Sequence, residues 1–107
     1  MRTRWNWAYL GAGIAAALVA SEAATAAGNA RTGRQIAERW CASCHVVAPE
    51  QRAGSPDVPS FQAIARREDF AEALLAAFLS NSHPRMPDMA LSRQEISDLV
   101  AHIRSLR

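Results

Sequence analysis

Apolar residues recur at helical spacing in three stretches of this 107-residue chain, and each stretch predicts a helix. The first runs from residue 29 to residue 44, and either Asn29 or Thr32 can cap its N-terminus. Its apolar stripe consists of Ile36, Ala37 and Trp40. We expect this stripe to face the core and to continue into the residues that follow the helix.

The second stretch, residues 69–80, predicts an amphipathic helix with Asp69 in its first turn, where negative charge suits the helix dipole. Its apolar face is formed by Phe70, Leu74, Leu75, Phe78 and Leu79. The third helix is predicted from Ser92 to Arg104, because Ser92 and Glu95 have the spacing of a capping box. Its stripe contains Ile96, Leu99, Val100, Ile103 and Leu106.

Turn-forming residues separate these helices. Residues 46–60 contain three prolines and a glycine, and residues 80–89 contain two more prolines, so both stretches predict loops. A short fourth helix is predicted from Pro59 to about Arg67. Since no stretch after residue 28 is typical of a strand, the predicted fold class is all-α, with about four short helices.

The N-terminal segment has the pattern of a secretory signal peptide. Arg2 and Arg4 precede an apolar stretch at residues 5–20, and small residues follow with an A-x-A site at 24–26. We therefore predict a cleaved signal over residues 1–27 and a single domain over residues 28–107. An uncleaved membrane anchor is the alternative, but 16 residues are fewer than the roughly 20 that a spanning helix needs.

Net charge gives little indication of a partner. All 12 basic residues are arginines, against 10 acidic residues, for a formal charge of +2. The arginines are scattered and no aromatic residues alternate with them, so the sequence predicts no nucleic-acid binding.

The strongest chemical signal is C-x-x-C-H at Cys41, Cys44 and His45, which is typical of covalent haem c attachment. Two cysteines three residues apart on a helical turn lie about 5–6 Å apart at Cβ, so both can form thioethers with one haem. His45 follows directly and can bind iron as the proximal ligand. A carbonyl between Pro56 and Pro59, with Pro59 preferred, is expected to accept a hydrogen bond from its ring.

Three other interpretations of the cysteine pair remain. A thioredoxin-like redox pair would need strands beside it. A zinc site would have to use the adjacent Cys44 and His45 together with His83 or His102, which is an awkward tetrahedral geometry. The third interpretation is a simple disulfide in an exported protein.

The second iron ligand is predicted in the loop of residues 80–89. A thioether sulfur is a soft ligand that favours Fe(II), and Met86 is the best candidate because Pro84 and Pro87 restrict the backbone around it. Met89 is the next candidate, and His83 is a weaker one.

Taken together, these residues resemble the small class I cytochromes c of bacteria. The resemblance covers essentially all of residues 28–107, and its motifs occur in the family's order. They are Gly33, C-x-x-C-H, Pro59 with Phe61, Met86 with Pro87, and the helix with Leu99 and Ile103. The family often has an aromatic residue in that last helix where this chain has His102, so we expect a smaller or more polar contact between the terminal helices.

The resemblance implies the cytochrome c fold around one covalent haem c, with the terminal helices crossing near Gly33. It also implies that His45 and Met86 bind the iron, and that Pro59 supplies the carbonyl that meets His45. The expected function is periplasmic one-electron transfer between a redox-protein donor and acceptor, one of which can be membrane-bound, with no small-molecule substrate. Two alternatives stay open, namely an electron-relay subunit of a larger dehydrogenase or oxidase complex, and a five-coordinate haem protein that binds a gas.

Overall fold

The computed structural model describes residues 27–81 and 85–107, which contain four α-helices and no strand. The helices are α1 (Ala30–Trp40), α2 (Phe61–Ala65), α3 (Glu72–Leu79) and α4 (Arg93–Arg104). The all-α prediction is therefore confirmed. Within these two ranges, no helix combines the length and apolar character that crossing a bilayer requires. The predicted signal segment up to residue 26 and His83 lie outside the described residues.

Helix α1 begins where the sequence predicts, because the Asn29 side chain accepts a hydrogen bond from the Thr32 amide. It ends at Trp40, four residues before the predicted end. The amide of Ala42 bonds to the carbonyl of Ala37, five residues back, and the amides of Cys44 and His45 both bond to the carbonyl of Cys41. The C-x-x-C-H segment is therefore a tight turn after the helix and not its last turn.

Helices α1 and α4 cross in direct backbone contact at Gly33. A Cβ atom added to Gly33 would lie 1.9 Å from the carbonyl oxygen of Asp98, so only glycine permits this approach. The expected crossing near Gly33 is thus confirmed. The core next to the crossing consists of Ala37, Cys41, Val47, Phe61, Ala65, Leu99 and Ile103.

Helix α3 is shorter and more exposed than predicted. Asp69 lies before the helix, where its carboxylate pairs with the guanidinium of Arg67 at 2.9 Å, and Glu72 occupies the first turn instead. Leu74 is 70% exposed, so its prediction as a core residue was wrong. Leu75 and Leu79 do pack against the core. A helix of eight residues turns only one narrow face inward, and Leu74 lies outside that face.

Helices α2 and α4 each begin at a serine cap. The Ser60 hydroxyl accepts from the Ala63 amide, and α2 ends at Ala65, slightly before the predicted Arg67. In α4 both halves of the predicted capping box between Ser92 and Glu95 are present. Helix α4 is the most deeply buried helix of the described chain, and it contacts α1, α2 and α3.

Candidate haem-binding site

An apolar cavity of about 550 Å³ opens between the C-x-x-C-H turn and helices α2, α3 and α4. Its walls include Phe61, Ile64, Leu75, Leu79, Leu99 and Ile103. All of the candidate cofactor residues in the described chain border it, namely Cys41, Cys44, His45, Met86 and Met89. The fold therefore brings together two groups of candidates that lie some 40 residues apart in the sequence.

Cys41 and Cys44 lie in the turn at one edge of the cavity, and both are free thiols. Cys41 is buried, and this burial raises the pKa of its thiol, whereas Cys44 is exposed. The backbone of the turn is fixed by the amides of Cys44 and His45, which bond to the Cys41 carbonyl at 3.1 and 2.8 Å. The spacing of the two thiols is thus set by local hydrogen bonds.

None of the three other interpretations of the cysteine pair gains support. The two cysteines are not joined to each other. Over residues 27–81 and 85–107, no cluster of three or more His, Cys, Asp or Glu side chains could hold a metal ion. His102, one proposed zinc ligand, bonds instead to the carbonyl oxygen of Val47 at 2.7 Å. The same part of the chain contains no strand of the kind that surrounds a thioredoxin-like pair.

His45 has a fixed orientation at the cavity. Its Nδ1 atom lies 2.6 Å from the carbonyl oxygen of Pro59, and its ring centroid lies 5.3 Å from that of Phe61. Since a carbonyl oxygen only accepts, Nδ1 must carry the proton and donate. Nε2 is then the nitrogen that remains for a metal. The predicted carbonyl partner, Pro59, is confirmed.

Met86 and Met89 both border the cavity and both are half-buried. The backbone turns directly after Met89, where Ala90 has a φ of 49° and its amide donates to the Asp88 carboxylate at 3.0 Å. Both methionines therefore stand as candidate ligands on the side of the cavity formed by the second loop.

Trp40 has a different position from the one predicted. It was expected in the core, but it is 50% exposed and lies at the rim of the cavity. Helix α1 ends at this residue, so its side chain lies beside the C-x-x-C-H turn and not between α1 and α4. Trp40 was placed in the core because it continues the apolar stripe of α1. The stripe extends beyond the interface between α1 and α4.

Gln51 is a residue of the site that the sequence did not indicate. Its side chain accepts a hydrogen bond from the Val47 amide and donates to the carbonyls of Ala42, His45 and Ala53. It lies in a loop with no recognisable motif, and a polar residue there is usually exposed. No feature of the sequence would have distinguished it.

The residues around the cavity fit a haem c. A volume of about 550 Å³ lies within the range of roughly 300–1,000 Å³ that is typical of cofactor sites. The walls are apolar, two thiols lie at one edge, and an imidazole and two thioethers supply the nitrogen and sulfur donors that haem iron takes.

This helical fold around an apolar cavity, with C-x-x-C-H at its edge, defines a small monohaem class I cytochrome c. Residues 28–103 match the family described as Cytochrome C oxidase, cbb3-type, subunit III, and the chain belongs to this cytochrome c family. It is also similar to Cytochrome c-552 of Bradyrhizobium diazoefficiens, with 50% identity over 91 residues, which cover 85% of this chain and 88% of the relative. No solved structure matches the chain.

Membership of this family has direct consequences for function. The chain carries a covalently bound haem c and serves as an electron-transfer protein, not as an enzyme. It therefore exchanges electrons with redox partners.

Proposed function

We propose that this protein is a periplasmic one-electron carrier whose haem is attached through Cys41 and Cys44 and whose iron is bound by His45 and Met86. The observation that carries the proposal is the hydrogen bond from His45 Nδ1 to the Pro59 carbonyl, at the edge of the cavity that both cysteines border. An imidazole oriented in this way is typical of a metal ligand, because the second hydrogen bond fixes the ring and raises the basicity of the other nitrogen.

When bound, the haem supplies the Fe(III)/Fe(II) couple, and the chain supplies its environment. Cys41 and Cys44 fix one edge of the site through a turn that is already hydrogen-bonded. Phe61, Leu99 and Ile103 exclude water from the cavity, since they are nearly or fully buried. Because hydrogen bonds hold the segment that bears His45, little rearrangement is needed on this side of the site when its charge changes.

Met86 is our choice for the distal ligand. It shares the cavity with Met89, but it alone lies between two prolines, Pro84 and Pro87 in the sequence. Such a restricted backbone loses less entropy when the sulfur is held in place. A thioether in this position raises the reduction potential relative to a second histidine.

Export to the periplasm is proposed from the pattern of residues 1–27, with its arginines, apolar stretch and small residues. The redox donor and acceptor would then be proteins of the periplasm or of its membrane.

A second candidate function is that of an electron-relay subunit within a larger complex. The match to the family described as Cytochrome C oxidase, cbb3-type, subunit III favours it, because that description is of a subunit of a larger oxidase.

The decisive experiment is to produce the full chain in a host that attaches haem c outside the cytoplasm. We expect a haem c pyridine haemochrome spectrum and an intact mass equal to residues 27–107 or 28–107 plus one haem. Colourless protein with the mass of the bare polypeptide would overturn haem attachment. A haem-bearing protein that retains Met1 would overturn only the cleavage.

The distal ligand is tested with two matched variants, Met86→Leu and Met89→Leu. Ferric haem bound by methionine shows a weak near-infrared band, and we expect only Met86→Leu to lose it and to bind carbon monoxide readily when reduced. Loss of the band in Met89→Leu alone would move the ligand to Met89. Absence of the band from the unchanged protein would favour the five-coordinate alternative. Stable copurification with other redox subunits would favour the relay function.

A further inference from the structure

The backbone groups of residues 45–47 make four hydrogen bonds with residues that lie later in the chain. The His45 carbonyl accepts from Gln51 Nε2 at 2.8 Å, and the Val46 carbonyl accepts from the Phe61 amide at 2.9 Å. The Val47 amide donates to Gln51 Oε1 at 2.9 Å, and the Val47 carbonyl accepts from His102 Nε2 at 2.7 Å. Side chains therefore satisfy both polar backbone groups of Val47.

Gln51 connects this segment to both of its flanks. Its single NH₂ group lies within 3.0 Å of three carbonyl oxygens, those of Ala42, His45 and Ala53. With only two protons available, one N–H must be shared. Ala42 lies inside the C-x-x-C-H motif, so one side chain ties the cysteine turn to the histidine and to the loop that follows it.

His102 reaches the same segment from α4, 55 residues away in the sequence. Its side chain is buried, and its Nε2 must donate because the Val47 carbonyl can only accept. Its ring centroid lies 6.2 Å from that of Phe61, and Phe61 in turn contacts His45. His102 is therefore connected to His45 in two ways. One is its hydrogen bond to the Val47 carbonyl, and the other is the Phe61 ring, which contacts both histidine rings.

We propose that Gln51 and His102 are positioning residues that fix the orientation of the proximal ligand His45 by holding Val47 at its amide and its carbonyl. This inference rests on the proposed function, since it takes His45 as an iron ligand. Val47 is fully buried, so water cannot replace a lost partner, and either loss leaves the segment free to shift. Because the ring of His45 is aligned by the Pro59 carbonyl, such a shift lengthens that hydrogen bond.

The first comparison uses His102 in the haem-loaded protein. His102→Phe keeps a ring of similar size and removes the donor, whereas His102→Gln keeps a donor near the position of Nε2. The measured quantity is the rate of hydrogen–deuterium exchange at His45 Nδ1, monitored by NMR in the reduced protein. We expect this rate to be about fivefold higher in His102→Phe, because that factor corresponds to the loss of one net hydrogen bond. The midpoint potential should rise, because a less basic imidazole stabilises Fe(III) less. His102→Gln should restore both values.

The second comparison uses Gln51. Gln51→Met removes every polar contact at similar length, and Gln35→Met makes the same change at an exposed glutamine of α1. We expect Gln51→Met to shift exchange and potential in the same directions as His102→Phe, and Gln35→Met to leave both unchanged. If Gln51→Met accumulates no haem protein, the pair of His102 variants decides the proposal alone.

Variants that unfold more easily but keep the exchange rate and potential of the unchanged protein would overturn the positioning role, because they would show a purely structural one. Equal shifts in His102→Phe and His102→Gln would overturn it as well. Failure of the ligand assignment is seen separately and earlier. In that event the unchanged ferric protein would lack the strongly shifted ring resonances of an iron-bound histidine.

Discussion

The Nδ1 atom of His45 donates to the carbonyl oxygen of Pro59 across 2.6 Å, although the two residues are 14 positions apart. Two neighbouring contacts hold the Pro59 carbonyl in place. The Ser60 hydroxyl caps α2, and the Phe61 amide bonds to the Val46 carbonyl. The start of α2 is therefore attached to the residue after the proximal histidine, and this attachment sets the distance between imidazole and carbonyl.

Replacing Pro59 by alanine should loosen this contact. The carbonyl remains, but the backbone gains freedom in the unfolded chain and in the loop, so we expect a loss of about 0.4–1 kcal/mol in the free energy of unfolding. The imidazole becomes less basic as its hydrogen bond weakens, so the midpoint potential should rise. Pro56→Ala is the matched control, since Pro56 is an exposed proline of the same loop. A potential that rises equally in both variants would contradict this explanation.

Local signals in the sequence were enough to predict much of the fold. Asn29, Ser92 and Glu95 are caps whose partners lie three residues away, so a short window contains both halves of each interaction. The same holds for C-x-x-C-H, where the thiols and imidazole lie in one turn. The end of α1 at Trp40 and the start of α3 at Glu72 were missed, because competing bonds at Ala42 and at Asp69 end or delay the helices.

The positions that the sequence could not predict depend on contacts between distant residues. Val47 bonds to His102, and no pattern within either segment indicates the other. The four hydrogen bonds of the Gln51 side chain depend on the path of its loop. Turn-forming residues in the sequence predict that a loop is present but not the path that it follows. Met86 and Met89 both border the cavity, so the fold does not distinguish between these two candidates for the distal ligand. The preference for Met86 rests on the prolines on either side of it in the sequence.

Gly33→Ala should destabilise the protein through the helix crossing. The new Cβ would lie 1.9 Å from the Asp98 carbonyl oxygen, and since that atom is backbone, α1 and α4 must move apart. Since backbone must give way, we expect a cost from overpacking near the upper end of its usual range, about 3 kcal/mol. This cost outweighs the gain of about 1 kcal/mol in helix propensity from replacing glycine.

Denaturant unfolding of the haem-loaded protein measures the effect of Gly33→Ala. Gly54→Ala is the comparison, because a Cβ there would meet its nearest atoms at 3.0 Å and requires a smaller adjustment. A Gly33→Ala variant as stable as the unchanged protein would show that the two helices can separate at no cost. That result would contradict the tight crossing.

Asp98 should contribute to stability through the N-terminus of α1. Its Oδ1 atom accepts from the Asn29 amide at 2.7 Å and from Gln94 Nε2 at 2.9 Å, and the residue is buried. Asp98→Ala leaves that amide without its partner and removes negative charge beside a helix N-terminus, so we expect a loss of about 1.5–3 kcal/mol. Asp98→Asn keeps an acceptor and should lose less. Asp57→Ala, at an exposed aspartate, should stay within about 0.5 kcal/mol of the unchanged protein in thermal unfolding.

Met86→His should lower the midpoint potential strongly. The identity of the axial ligand moves the potential of haem proteins over about 0.8 V, more than any change of surface charge, and a second imidazole favours Fe(III) where a thioether favours Fe(II). Met89→His is the matched control, because Met89 borders the same cavity and lies three residues further along the same loop. If Met86 is the ligand, a redox titration should give a strongly lowered potential for Met86→His and a nearly unchanged one for Met89→His. The reverse order would assign the ligand to Met89, and equal small changes in both variants would mean that neither sulfur binds the iron.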